Sequence, residues 1–154
     1  MPERHLVDVH LILVRDDEIL LSLRRDTDPR FDGQWHLPAG KLEAGESVLA
    51  GAAREAREEV GVSVRQDQLR LVHTAHVTAP GVEPRLGLFF EATRWSGVPF
   101  NREPEKSSGV AWFRFDALPS PLIAYSAVGI AHYRAGVALS VLGWDDTEVT
   151  RSRH

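Results

Sequence analysis

The N-terminal part of the chain alternates between apolar runs and turn formers, a pattern that predicts a β-hairpin followed by a loop. Leu6 to Val14 (LVDVHLILV) is rich in β-forming residues and partly alternates, which favours a strand. Asp16-Asp17 marks a turn, and Glu18 to Leu23 is predicted to be the returning strand. Asp26 to Gly33 is dense in turn formers and should be a surface loop, followed by a short extended piece over Gln34 to Leu37.

The clearest helix is predicted over Val48 to Val60. Ser47 is a suitable N-cap residue, and Gly61 is a suitable residue for ending the helix. On a helical wheel of about 100° per residue, one arc of this segment is apolar and can pack on a sheet. The apolar arc contains Leu49, Ala52, Ala53, Ala56 and Val60.

Three carboxylates, Glu55, Glu58 and Glu59, lie beside this apolar arc within about one helical turn. They repel one another, and two interpretations are open. One is a solvated face on which Arg54 and Arg57 offset the repulsion. The other is a site for a hard divalent cation, because Mg²⁺ and Mn²⁺ prefer oxygen ligands. The three carboxylates alone do not distinguish the two.

Three more strands are predicted in the second half of the chain. Leu69 to Val77 and Leu86 to Thr93 flank Pro80-Gly81, which suggests a hairpin-like connection. Ser96 to Ser108 is polar and should form a loop, and Val110 to Phe115 should form the next strand.

A second helix is predicted to begin at Ser120-Pro121, an N-cap followed by proline, and to run to about Leu139. Its apolar residues, which include Leu122, Ile123, Ile130 and Val137, suit packing on a sheet. Strands combined with two helices indicate a mixed α/β domain with helices on both faces of one sheet. No repeat or linker divides the chain, so one domain over residues 1–154 is expected.

Composition narrows the classes of protein without naming a chemistry. Hydrophobic residues make up 43% and charged residues 26%, and no apolar run approaches the roughly 20 residues of a membrane span. The chain has no cysteine, which excludes thiol catalysis and cysteine-ligated zinc. The net charge of -4 argues against a nucleic-acid or membrane-surface partner. Met1 to His5 lacks a signal-peptide pattern, so a cytoplasmic location is the default expectation.

Glycine, glutamate and arginine residues recur at fixed spacing around the acidic helix, beginning with Gly40 and Glu46 and ending with Gly61. Their spacing resembles the box of the Nudix family, G-x5-E-x7-R-E-U-x-E-E-x-G-U, where U is a bulky aliphatic residue. Ala56 is the one departure, because it is smaller than the family's usual residue. Together with its flanking segments the resemblance covers about residues 5 to 140. Every fixed polar or glycine position is present, at Gly40, Glu46, Arg54, Glu55, Glu58, Glu59 and Gly61.

This resemblance implies a Nudix-type α/β/α sandwich with a mixed β-sheet that hydrolyses a diphosphate bond in a nucleotide. It implies Mg²⁺ as the cofactor, with Mn²⁺ as a substitute. The metal ligands it assigns are Glu55, Glu58, Glu59 and the backbone carbonyl of Gly40. It gives Glu46 and Arg54 a bracing role around the box.

Each of the remaining site residues is a candidate for a functional role, and for each a purely structural or surface role is the alternative. Glu55 and Glu58 are candidates for the general base, and a loop glutamate, Glu103 or Glu105, is a second option unless it is only surface charge. Substrate contacts are expected from Arg24, Arg25 and Lys41 through phosphate, and from His36, for which a structural hydrogen bond is equally open. Stacking on a base is open for Trp35, Trp112 and Phe113, although core packing is favoured.

The substrate is less determined than the reaction. The segment Asn101 to Lys106 resembles nucleoside-triphosphate-hydrolysing members, which favours an NTP or dNTP pyrophosphohydrolase. The alternative substrate is ADP-ribose or another nucleoside diphosphate-X. ADP-ribose hydrolases of the family often have a proline at a set distance after the box, and Pro80 lies near that position but not at it. A non-catalytic nucleotide-sensing module is the alternative of another class, although no box carboxylate is missing. The partner expected is a small nucleotide, and a homodimer is left open.

Overall fold

The computed structural model describes residues 1–144 and 150–152. Neither helix in these ranges is long and apolar enough to cross a membrane. The helices are α1 (Val48–Val60) and α2 (Ala124–Ala135), with a short 3₁₀ helix at Gln66–Gln68. The strands are β1 (Leu6–Arg15), β2 (Glu18–Arg24), β3 (Trp35–His36), β4 (Ala39–Lys41), β5 (Arg70–Ala79), β6 (Val82–Ala92), β7 (Ser107–Arg114), β8 (Val137–Leu142) and β9 (Thr150–Ser152).

The strands form one mixed sheet in the order β3-β2-β1-β6-β5-β8-β9, with β4 also paired to β1 and β7 to β2. The β1–β6 and β5–β8 pairs are parallel, and the remaining pairs are antiparallel. Strand β1 is shared by both halves of the sheet. Its segment Leu6 to Leu13 pairs with β6, and its last residues, Val14 and Arg15, pair with β2.

The two faces of β1 carry different cores, because successive side chains of a strand point to opposite faces. Val9, Leu11 and Leu13 pack with Ala52, Ala56 and Val60 of α1 on one face. Ile12 packs with Phe89 of β6 and Ile130 of α2 on the other. The sheet therefore lies between two helices, and the predicted α/β/α arrangement is confirmed.

The predicted α1 is confirmed at both ends. The Ser47 hydroxyl oxygen accepts the backbone N–H of Ala50 at 3.1 Å, which satisfies one of the free donors at the start of the helix. Gly61 has a left-handed backbone, with φ of 71°, and its N–H donates to the Arg57 carbonyl at 3.1 Å.

The predicted second helix is wrong at both ends. Pro121 and Ile123 exchange backbone hydrogen bonds with Trp35, which keeps this segment extended beside β3, so Leu122 and Ile123 precede the helix. The helix ends at Gly136, which has a φ of 72°. Val137 to Leu142 then forms β8 in parallel with β5, because the pairing that β5 offers outweighs helix propensity. Of the four apolar residues expected on this helix, Ile130 alone lies on it.

Candidate active site

The acidic face of α1 lies against the backbone of β4. The Glu59 carboxylate accepts the backbone N–H of Ala39 at 2.9 Å. The Glu55 carboxylate lies over Gly40, where an added Cβ would come within 1.9 Å of its Oε1 atom. A side chain at position 40 would therefore displace the Glu55 carboxylate from this position.

Arg54 connects the carboxylates of α1 to the loop that precedes the helix. Its guanidinium forms a fork with Glu46, with Nε donating at 2.6 Å and Nη2 at 3.0 Å. Its Nη1 donates to Glu55 at 2.8 Å and to Glu58 at 3.1 Å, and Nη2 also donates to the Lys41 carbonyl at 3.2 Å. The Arg54 hydrogen bonds hold the pKa of Glu46 below its usual value. Glu46 and Arg54 are thus paired, and their bracing role stays a prediction.

A loop glutamate joins the carboxylates because the segment after β6 is attached to the C-terminal end of α1. The Phe100 N–H donates to the Val60 carbonyl at 3.0 Å, and the Arg102 N–H donates to the Glu59 carbonyl at 3.2 Å. These bonds bring Glu103 close enough to raise the pKa values of Glu55 and Glu59. Glu105 is exposed on the same loop, and it does not line the cavity described below.

Negative charge is concentrated where α1 meets β4. Burial raises the pKa of Glu59 well above its usual value, and the Glu55 and Glu103 carboxylates raise it further, against the opposing Ala39 hydrogen bond. Burial also raises the pKa of Glu55, although Arg54 opposes it.

This oxygen-rich donor set fits a divalent cation, which would relieve the repulsion. As the side chains stand, no group of three histidine, aspartate or glutamate side chains in residues 1–144 and 150–152 is arranged to hold a metal ion. Arg54 instead donates to both Glu55 and Glu58.

A cavity of about 580 Å³ opens beside these carboxylates. Glu59 and Glu103 line one part of it. The four residues expected to contact substrate, Arg24, Arg25, His36 and Lys41, all line it as well, together with Lys106. Their roles remain predictions, but the fold brings them to one place. Arg24 is partly engaged, because its Nη2 donates to Asp26 at 2.8 Å.

Several cavity residues were missed by the sequence analysis because they come from elements distant in sequence. Tyr125 and Ser126 lie on α2, and the Ser126 hydroxyl accepts the Leu37 N–H at 3.0 Å. His10 lies on β1, where a histidine in a buried apolar strand is the one signal that could have identified it. Trp35, in contrast, packs edge-on against Phe113 at a centroid distance of 4.7 Å, as core packing requires.

Comparison with known proteins decides the family. The NUDIX domain matches residues 4–133 of the chain. The chain belongs to the Nudix family. The resemblance to the Nudix family is therefore confirmed, and the chain is a Nudix pyrophosphohydrolase. The metal-binding role of the three carboxylates stays a prediction. Ala56, the one position that departs from the box, is fully buried in the core beneath α1.

The similarity extends to individual Nudix proteins. A MutT-like protein from Streptomyces ambofaciens is 33% identical over 127 residues, which cover 82% of this chain and 75% of that protein. The NAD-capped RNA hydrolase NudC from Pseudomonas aeruginosa is 39% identical over 121 residues, covering 77% of this chain but 39% of that protein. The crystal structure of the MutT Nudix hydrolase from Burkholderia pseudomallei superposes with a TM-score of 0.76, at 29% identity, over 84% of this chain and 98% of that chain.

Nudix hydrolases generally use a divalent metal ion, and relatives of this chain act on a range of nucleotide derivatives. These family properties do not identify the metal or the nucleotide that this Nudix protein uses.

Proposed function

We propose that this Nudix protein hydrolyses a diphosphate bond in a nucleoside triphosphate, giving a nucleoside monophosphate and pyrophosphate. The observation that carries the proposal is the cavity that is lined both by Glu59 and Glu103 and by the cationic side chains of Arg25, Lys41 and Lys106. A triphosphate chain carries several negative charges and needs both cationic side chains and a metal ion near it.

We assign Mg²⁺ as the cofactor, with Mn²⁺ as a substitute, because both prefer the oxygen ligands present on α1 and β4. Glu55, Glu58, Glu59 and the Gly40 carbonyl would hold it. When bound, the cation neutralises phosphate charge and lowers the pKa of a coordinated water. Arg54 and Glu46 keep the loop and the helix in register while the carboxylates change partners.

The cationic side chains of the cavity bind and orient the triphosphate. Arg25 and Lys41 are exposed at the opening, where they can reach phosphate oxygens. Arg24 is held by Asp26, so its fork is oriented before substrate arrives. The phosphorus is thereby presented to the carboxylate end of the cavity, and orientation of this kind is a large part of catalysis.

Glu103 is the residue we favour as the general base that takes the proton of the attacking water. Glu55 and Glu58 both accept hydrogen bonds from Arg54, so their carboxylate oxygens already have a donor. Glu103 forms an ion pair with Lys106, at 3.5 Å, and it lines the cavity. The exposed Glu105 is less suited to this role than its neighbour.

Two alternatives define what the experiment must separate. The Pseudomonas relative is named for NAD-capped RNA, so a nucleoside diphosphate-X substrate, including ADP-ribose, competes with a triphosphate. A nucleotide-sensing module would bind nucleotides without turnover.

The test is kcat/KM for NTPs, dNTPs, ADP-ribose, NADH and dinucleoside polyphosphates, each with Mg²⁺ and with Mn²⁺. Highest efficiency on a triphosphate is expected, and tight binding without turnover of any compound would contradict the proposal.

Glu59→Gln tests the metal-binding role with little change in packing, because the glutamine oxygen can still accept the Ala39 N–H. We expect kcat to fall by at least about 100-fold and the Mg²⁺ concentration for half-maximal rate to rise. Glu18→Gln, at the distant start of β2, is the matched control and should keep full activity. Full activity of Glu59→Gln would remove Glu59 from the set of required ligands.

A further inference from the structure

His36 of β3 is part of the wall of the cavity. Its partner across the β2–β3 ladder is Ser22. Side chains directly opposite each other in an antiparallel pair lie on the same face of the sheet. Both residues line the cavity, and so does Leu37, the next residue along the chain. The imidazole of His36 therefore borders the space in which a ligand would lie.

One nitrogen of the His36 ring has a fixed partner. Nδ1 lies 2.7 Å from the backbone carbonyl oxygen of Leu37. A carbonyl oxygen can only accept, so Nδ1 carries the proton of this hydrogen bond. Burial lowers the pKa of His36 below its usual value, against the opposing effect of the Leu37 hydrogen bond, so the ring is neutral at neutral pH. In this neutral tautomer the other nitrogen, Nε2, is unprotonated and offers a lone pair.

The second nitrogen of His36 is accessible and has no partner in the protein. Within residues 1–144 and 150–152, the hydrogen bond of the ring is the one from Nδ1, and Nε2 is not among the inaccessible polar atoms that lack a partner. Both nitrogens of His10, in contrast, are inaccessible. His36 therefore presents an open hydrogen-bond acceptor, whereas His10 does not.

The hydroxyl opposite His36 cannot supply the missing donor. The Ser107 hydroxyl donates to the Gly109 carbonyl at 2.9 Å, so its single proton is used. In the bond of 2.9 Å between the Ser22 and Ser107 hydroxyls, Ser22 must then be the donor. The proton of Ser22 is therefore also used, and a donor for Nε2 of His36 has to come from a molecule in the cavity.

The position of His36 suits the nucleoside part of a nucleotide better than its phosphates. An unprotonated nitrogen and a phosphate oxygen are both acceptors, so they do not bind each other. The carboxylate end of the cavity begins at Ala39, whose N–H is bound to Glu59. Ala39 is three residues beyond His36, a distance of at most about 10 Å along the chain. A nucleotide with its phosphates near Glu59 and Lys41 can therefore place its sugar or base beside His36.

We propose that Nε2 of His36 is a specificity-determining acceptor that takes a hydrogen bond from an uncharged donor of the nucleoside, either a sugar hydroxyl or an amino group of the base. This inference rests on the proposed function. The cationic side chains of the cavity, Arg25, Lys41 and Lys106, can only donate, so they cannot play this role. A nucleotide that lacks the donor leaves Nε2 without a partner and is selected against.

Two substitutions separate the roles of the two His36 nitrogens. His36→Asn can keep the bond to the Leu37 carbonyl through its amide nitrogen, but it has no atom at the position of Nε2. His36→Gln can place an accepting amide oxygen near the position of Nε2, but it loses the Leu37 bond. His5→Asn is the matched control, because it makes the same change in a histidine that does not line the cavity.

The test compares each nucleotide with analogues that lack one donor. The probes are ATP and GTP, their 2′-deoxy and 3′-deoxy forms, purine riboside triphosphate and ITP, which lack an amino group of the base, and inorganic tripolyphosphate. The measurement is kcat/KM with Mg²⁺, or Kd for a ligand that is not turned over. His36→Asn should lower kcat/KM for the better of ATP and GTP about tenfold and leave tripolyphosphate unchanged. The loss should disappear for the analogue that lacks the bonded donor, and His36→Gln should lose less.

Each result supports or overturns the contact. An equal loss for tripolyphosphate, or for every analogue of the same nucleotide, would indicate a merely structural role of His36 and overturn the proposal. Nucleotide turnover that His36→Asn does not alter would leave the proposed function standing without this contact. Nucleotide binding that depends on His36 but leads to no turnover would support the contact and contradict the proposed function.

Discussion

Arg54 determines how the carboxylates of α1 are presented. Its side chain is 13% exposed, and it donates to Glu46, Glu55 and Glu58 at once. Removing or weakening one of these contacts affects the others, because the guanidinium is a rigid planar fork. The site therefore depends on a residue that we do not expect to touch the substrate.

Replacement of Arg54 by lysine should preserve the charge but lose the fork. We expect kcat/KM to fall by about 10- to 100-fold, as for other residues that orient metal ligands. Arg57→Lys is the control, since Arg57 is exposed on the same helix and contributes only its carbonyl to the loop contact. Steady-state kinetics at several Mg²⁺ concentrations measure both variants, and equal activity of the two would contradict this role of Arg54.

At the scale of elements, the site depends on how the loop carrying Glu103 is attached to the end of α1. Gly61 ends the helix in a left-handed conformation, and the Phe100 ring lies directly over it. An added Cβ at Gly61 would come within 2.1 Å of that ring. The same glycine therefore ends the helix and makes room for the loop.

Gly61→Ala should destabilise the protein by about 2–3 kcal/mol, through backbone strain and the overlap with Phe100. Gly81→Ala is the matched control, because Gly81 has a similar φ of 75° but no atom within 4 Å of an added Cβ. It should cost only about 1 kcal/mol. Urea unfolding gives both values, and equal losses would show that the Phe100 contact contributes nothing.

At the scale of the whole molecule, the buried imidazole of His10 links stability to pH. The pKa of His10 is lowered from 6.5 to about 3 in the folded protein, chiefly by burial, with His36 and Arg85 adding to the effect. The unfolded chain thus binds a proton at His10 more readily than the folded chain does. The associated stability is fully present above pH 6.5 and is lost as the pH falls toward 3.

His10→Phe should therefore flatten the pH dependence of unfolding on the acid side. Between pH 6.5 and 3, the free energy of unfolding should depend less steeply on pH in the variant than in the wild type. The difference between the two slopes should be about 1.4 kcal/mol per pH unit. The difference between the two curves isolates His10 from the carboxylates, which titrate in both proteins. Denaturant unfolding across this range is the measurement, and parallel curves would contradict a neutral buried His10.

The sequence by itself determined the parts of the protein that depend on local spacing. The bounds and caps of α1 follow from Ser47, Gly61 and the period of the apolar residues between them. The placement of Glu55, Glu58 and Glu59 on one face follows from the same period. The hairpins at Asp16-Asp17 and at Pro80-Gly81 were predictable for a similar reason, since turn formers separate two β-rich runs.

Tertiary structure alone decided what depends on contacts between distant segments. Val137 to Leu142 could continue a helix locally, but its pairing with β5 makes it a strand. The sequence does not indicate which of the loop glutamates, Glu103 or Glu105, lies at the cavity. The attachment of the loop to α1 places Glu103 there. His10 and Tyr125 meet only because the sheet and α2 pack together. The spacing of residues predicts which side chains are neighbours within one element. The residues that line the cavity are brought together by packing between elements, and a local sequence pattern does not predict that packing.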